Sequence, residues 1–236
     1  MSDKLKMSAG ERIAALLDDA SFVEIGSAVT SRATDFNIES LDTPRDGVIT
    51  GYGQIDGRLV YVYSQDVSVL GGAIGEMHSK KINAIYSLAM KVGAPVIGLI
   101  DSAGLRLQEA TDSLYGFGAL FKKSTMASGV IPQITAIFGN AGGGAGILTS
   151  LSDFTFMVED AKLFVNSPNS LKGNYIEKLD TSSAAYVSEH TNLVDKVCAD
   201  DATALYEIRK LDYLSICIIF PFKTVYIFFA LKTPCI

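Results

Sequence analysis

The chain has 236 residues, 48% of them hydrophobic and 19% charged, a balance that excludes disorder and a length that buries roughly 70% of the unfolded surface. Lys and Arg total 20 against 26 Asp and Glu, so the net charge of -6 and pI near 4.9 exclude the basic footprint of a nucleic-acid binder. With 2 His, 3 Cys and no secretory apolar segment at the N-terminus, neither a His triad, a metal site nor a disulfide framework is expected, and the cytoplasm is the default compartment.

Ser8-Ala-Gly-Glu11 is a capping box that opens a helix over 9–18, with Ile13, Leu16 and Leu17 at helical spacing. Residues 27–46 are polar, carry Pro44 and show no sustained period, which predicts a long surface connection. The β-rich runs 48–55 and 58–64 flank Asp56-Gly57, a tight-hairpin signal. Gly71-Gly72-Ala73 then leads into a helix over 74–92, and a wholly apolar strand over 94–100 ends at Asp101. The pattern repeats with a helix over 106–127, an apolar strand over 131–138, and a junction at 139–144 that opens a third helix. Short strands at 153–158 and 162–165 and a helix over 202–211 complete an α/β alternation. After Leu211 the composition breaks: 15 of the 19 residues from Tyr213 to Leu231 are apolar or aromatic. The reading is one domain over 1–211 and an anomalous hydrophobic tail over 212–236. Departure from the reading frame near Leu211 accounts for that tail better than a displaced strand pair. It also does so better than a membrane anchor, because Pro221 and Lys223 interrupt the middle of the segment.

The Gly-rich junctions carry the chemical signal. Ala141-Gly-Gly-Gly-Ala-Gly146 lies between an apolar strand and a helix, where bare backbone approaches a ligand closely and amide N–H groups face an anion. It reads as a phosphate cradle, as an oxyanion hole for a thioester, or as close helix–strand packing that only Gly permits. No Lys-Ser/Thr follows, which excludes a Walker loop. Leu70-Gly-Gly-Ala-Ile-Gly-Glu76 is a second such junction, and both face one ligand if the fold brings them together. Arg106, Gln108 and Glu109 follow the end of a buried strand, where open α/β folds place ligand contacts, and equally read as a helix start. His78, beside Glu76 in a helix, and His190, in a polar stretch, read as packing and surface residues. Ser102 and Ser128 lack the setting of a nucleophile elbow.

Five segments taken in order resemble the N-terminal half of the carboxyltransferase (beta-type) subunit of biotin-dependent acyl-CoA carboxylases and decarboxylases. They are Gly47-Val-Ile-Thr-Gly-Tyr-Gly53, Gly71 to Ile82, Gly93 to Glu109, Ala127 to Ile134 and Asp153 to Val158. The resemblance spans most of residues 8–211 and implies a crotonase-like fold of repeated ββα units. It implies carboxyl transfer between carboxybiotin and an acetyl- or propionyl-type acyl-CoA, through a thioester enolate held by backbone amides at Gly143 and Gly144. Gly71, Gly72, Ala73, Gly104, Arg106 and Gly142 are the implied substrate-binding residues. Implied partners are a biotin carboxyl carrier protein, a biotin carboxylase and a second carboxyltransferase half, in a homo- or hetero-oligomer, with no metal on this chain. A methylmalonyl- or glutaconyl-CoA decarboxylase, a non-catalytic CoA-binding half, and a lone hydratase or hydrolase using Glu76, Glu109 or His78 are the alternatives. Two departures stand out: Asp101-Ser-Ala-Gly-Leu-Arg106 replaces the family's usual Asp-Ser-Gly-Gly-Ala-Arg, and nothing after Leu211 resembles its second half.

Overall fold

In the computed structural model, which describes residues 6–32, 42–166 and 180–215, helix α1 (Ala9–Leu16) starts at the expected capping box. Ser8 Oγ accepts the Glu11 N–H and the Glu11 carboxylate accepts the Ser8 N–H at 2.7 Å. After β1 (Val23–Glu24) comes the hairpin β2 (Val48–Ile55) and β3 (Arg58–Gln65), whose turn residues Asp56 and Gly57 both have positive φ, as a tight right-twisting turn requires. Next in the chain are α2 (Glu76–Val92), β4 (Val96–Ser102), α3 (Ala110–Ala127), β5 (Gln133–Gly142) and α4 (Gly144–Ser150). The remaining elements are β6 (Phe154–Val158), β7 (Lys162–Phe164), α5 (Ala184–His190), β8 (Lys196–Cys198) and α6 (Asp201–Ser215).

The sheet runs β1-β2-β3-β4-β5-β6-β8, antiparallel as far as β3 and parallel beyond it, while β7 pairs with the far end of β5. Parallel neighbours need crossover segments, and α2 and α3 supply them. Covered on both faces, β4 is buried along its whole length and β5 everywhere but Asn140, which is why both read as unbroken apolar runs.

Several boundaries differ from expectation for tertiary reasons. β5 extends to Gly142 because Asn140, Ala141 and Gly142 pair with Lys162, Leu163 and Phe164 of β7, a partner that local pattern does not announce. α2 starts at Glu76 because Ile74 bridges to Leu105 instead of entering the helix. The expected start of α3 is replaced by a short 3-10 turn, Leu107–Glu109. Of the expected surface connection, residues 33–41 lie outside the described residues. Its last part leads through buried Thr43 into a 3-10 turn, Pro44–Gly47, in which Asp46 is buried. α5 and β8 were not expected. α6 continues through Leu211 to Ser215, and the rest of the anomalous tail, 216–236, lies outside the described residues. Among the described residues no helix is long and apolar enough to cross a membrane.

The carboxylate of Asp18, just after α1, ties that end of the helix to the hairpin and to α6. Asp18 accepts the N–H groups of Asp56 at 3.1 Å and Gly57 at 2.9 Å, and Arg209 of α6 donates to it at 2.8 Å. The Gly57 amide first, and Arg209 second, hold the Asp18 carboxyl below the ordinary value. A carboxyl depressed on folding adds stability that is present above its unfolded pKa of about 4 and is lost as pH falls through the folded value. Asp18→Asn therefore lowers stability near neutrality and flattens the acid limb of the stability profile, as measured by urea unfolding at a series of pH values.

Candidate functional site

Three main-chain segments converge at the ends of β3, β4 and β5. The first is the turn Leu70–Gly72, and its carbonyls are held by the chain leaving β4: Ala103 donates to Gly71 O at 3.0 Å and Ser102 Oγ to Gly72 O at 2.7 Å. The Ile74 N–H bonds to Gly104 O at 2.8 Å and the Arg106 N–H to Ile74 O at 3.1 Å, so the two segments run zipped side by side. Gly72 has φ of 65°, and a β-carbon there would stand 2.1 Å from the Asp101 carbonyl oxygen. The third segment is the β5–α4 junction, which touches the second without any side chain between them. A β-carbon on Gly104 would lie 2.7 Å from Gly142 O, and one on Gly142 would lie 2.7 Å from Ala103 O. Both junctions thus pack, main chain on main chain, against the one segment that leaves β4.

Gly143 and Gly144 differ in what they offer. The Gly143 N–H is donated to Phe164 O at 2.9 Å, so the expected pair of amide donors is reduced by this bond. Around the α-carbon of Gly143, however, a β-carbon would meet nothing within 4 Å, so this residue contributes open surface. Gly144 opens α4, the helix start has no side-chain cap, and the first bond within the helix is from Ile147 to Gly143 O. Its amide therefore belongs to the first turn, whose N–H groups have no partner inside the helix. Ala103 is exposed beside Gly71, 3.5 Å from where a β-carbon of that glycine would stand, and Leu105 turns half-buried onto the core.

Arg106 does not present its guanidinium to a ligand. It is fully buried, ion-paired to Asp46 and to Glu109 at 2.8 Å, and donates to the carbonyls of Ala73 at 2.8 Å and Asp46 at 3.3 Å. Glu109 in turn accepts the Glu76 N–H at the start of α2, which removes its carboxylate from the surface, while Gln108 is exposed. Burial pushes the Asp46 carboxyl up, and Arg106 opposes that shift. His78 is also buried: its N–H bonds to the Asp46 carboxylate at 2.6 Å, and its ring nitrogens meet Asp46 O at 3.0 Å and the Gln65 side chain at 3.2 Å. Burial, then Arg106, holds its pKa well below the ordinary histidine value. His190 lies exposed on α5 with its ring stacked on Tyr186. No titratable side chain belonging to Glu109 or His78 thus reaches the open surface at Gly143.

Residues 2–215 match the carboxyl transferase domain family. The chain belongs to that family. The propionyl-CoA carboxylase beta chain of Roseobacter denitrificans is 46% identical over 214 residues, covering 89% of this chain and 42% of the relative. The methylmalonyl-CoA decarboxylase subunit alpha of Propionigenium modestum is 43% identical over 210 residues, covering 87% of this chain and 41% of the relative. Among solved structures, the hexameric transcarboxylase 12S with methylmalonyl-coenzyme A and methylmalonic acid bound superposes with a TM-score of 0.83 at 36% identity, over 87% of this chain and 41% of that one. This carboxyl transferase domain has the crotonase-like α/β fold, and it spans about two-fifths of the length of the relatives it matches.

What sequence reasoning missed is the support behind the junctions. The spacing of Arg106 and Glu109 is legible as a helical pair, but Asp46 sits 60 residues away in a polar stretch and only its contact with Arg106 reveals it. Replacing Arg106 by Met leaves two buried carboxylates without their cation. The expected cost is about 3–5 kcal/mol of folding stability, read by urea unfolding.

Proposed function

We propose that this chain is the acyl-CoA half of a biotin-dependent carboxyltransferase, taking a short acyl-CoA of the propionyl/methylmalonyl pair. The observation that carries this reading is the meeting of Gly71–Ala73, Gly104 and Gly142–Gly144, main chain packed on main chain, with the side chains of Arg106, Glu109 and His78 turned inward behind it. Such an arrangement suits a reaction whose difficulty is negative charge on a thioester oxygen, because fixed amide dipoles stabilise that charge without titrating. Removal of one such donor typically costs about 2.7–4 kcal/mol of barrier. Gly144 is the proposed donor on this chain, Gly143 the bare surface on which the thioester lies, and Gly71, Gly72 and Ala73 the opposite wall. Arg106 sets the position of that wall through Ala73 O, in place of the direct contact first expected of it.

The propionyl-CoA and methylmalonyl-CoA named for the relatives are related by one carboxyl group, which favours that acyl pair over others. Carboxybiotin, carried by a partner, supplies the carboxyl group when bound. The chain's own residues hold the thioester and its developing charge. Since the relatives are more than twice as long, a second carboxyltransferase half is proposed to bring the biotin carrier to this surface, in an oligomer of such pairs. The decarboxylase reading remains beside the carboxylase one, supported by the 43% identity to a methylmalonyl-CoA decarboxylase subunit.

The test is calorimetric titration of the full chain with propionyl-CoA, methylmalonyl-CoA, acetyl-CoA and free CoA. Thioesters are expected to bind tighter than free CoA by about tenfold, or about 1.4 kcal/mol. Equal affinities, or no binding, overturn the proposal. Ala103→Gly removes the exposed methyl beside Gly71 and is expected to shift relative affinity toward an acyl chain longer by one carbon, by about tenfold. The affinity ratio of butyryl- to propionyl-CoA measures it.

A further inference from the structure

Behind the glycine surface runs an unbroken buried chain of polar side chains that no step of the reaction uses. At one end Arg106 holds Ala73 O and pairs with Asp46 and Glu109. Asp46 receives the His78 N–H on its carboxylate and faces the His78 Nδ1 with its carbonyl. The other ring nitrogen of His78 meets the Gln65 amide, whose oxygen accepts the Asp101 N–H at 3.2 Å. Asp101 in turn accepts the Asn140 N–H at 3.1 Å and faces Arg12, which also pairs with Asp201. The ladder between β4 and β5 shifts register between Ile100 and Ser102, where Asp101 stands, and a β-carbon on Gly139 would lie 2.0 Å from its carboxylate. One end of the chain therefore fixes the wall Gly71–Ala73 and the other fixes the approach to Gly142.

The hydrogen-bond directions settle the state of the middle member. With its oxygen committed to the Asp101 N–H, Gln65 offers its NH2 to His78 Nε2, which must accept. Nδ1 then carries the proton and donates it to Asp46 O. We infer that His78 is a positioning residue, a neutral link of fixed tautomer that couples the Gly71–Ala73 wall to the Asn140–Gly142 strand end. The coupling sets the width of the surface between them.

The two ring nitrogens are separable by substitution. His78→Asn keeps an amide N–H where Nδ1 stands and cannot reach Gln65; His78→Gln keeps an acceptor where Nε2 stands and has no donor for Asp46 O. Hydrogen exchange on the full, ligand-free chain follows residues 70–76 and 139–144, with 134–137 of β5 as the reference. Expected is an increase of about tenfold at 139–144 in His78→Asn and at 70–76 in His78→Gln, with the other segment and the reference within about twofold. Uniform acceleration of all three segments, or no change, overturns the coupling. Should neither variant fold, the nitrogen-15 shifts of the wild-type ring decide the matter. A neutral Nδ1–H form from about pH 6 to 8 is expected, and a charged or Nε2–H ring overturns the inference. The ligand arm rests on the proposed function: each variant is expected to lose about tenfold in propionyl-CoA affinity while free CoA stays within about twofold. Equal losses for both ligands count against the positioning role. A wild-type chain that does not prefer the thioester sinks the functional reading, and the exchange result still judges the coupling.

Discussion

A single guanidinium, that of Arg106, lies fully buried between the carboxylates of Asp46 and Glu109, and the glycine surface takes its shape from this placement. Taking charges out of water costs several kcal/mol per ion, and mutual attraction repays this only with good geometry and satisfied neighbours. Here the same group that neutralises two carboxylates also binds the Ala73 carbonyl, while Glu109 receives the first amide of α2. The cluster thus converts an electrostatic requirement into a positional one: the charges stay buried only if the turn Leu70–Gly72 and the start of α2 stay where they are. Lys81 supports the arrangement from the other side, donating to Arg45 O and Val48 O and so closing the turn that delivers Asp46.

The proposed chemistry bears on this architecture. A site that works through titrating side chains needs them at the opening, yet His78, Glu109 and Arg106 all point inward and bond one another or nearby main chain. At the junctions the described main chain packs on main chain, held by charges one layer below it. Under the proposed function, fixed dipoles need no reorganisation at the moment of reaction, which is the property that a transient oxyanion rewards. Strand β5 adds the last piece. Its first half pairs with β6 and its last three residues with β7, so the strand divides its neighbours just before the chain turns at Gly143.

Much of this was legible in the sequence because it rests on local rules. The capping box at Ser8 and Glu11, the Asp56-Gly57 turn and the apolar runs that became β4 and β5 need no knowledge of distant residues. The convergence of the glycine junctions was legible as well, from their common place after successive buried strands. Other features were hidden for a common reason. Asp46 in a polar stretch, the extension of β5 to Gly142 and the bond from Gly143 to Phe164 O are all decided by partners far along the chain. Arg106 shows the limit most clearly, since an arginine after a strand end has the same local appearance whether it meets a ligand or a pair of buried carboxylates.

The placement of Arg12 has a consequence for how the molecule is made. Its guanidinium lies buried over the Phe138 ring and joins Asp101 to Asp201, a separation of 189 residues from the second partner. During synthesis from the N-terminus, Arg12 emerges long before either carboxylate, and the first helix cannot bury its charged face until nearly the whole described chain has left the ribosome. Docking of α1 against α6 through this bridge is therefore a late event, governed by the slow search that long-range contacts impose.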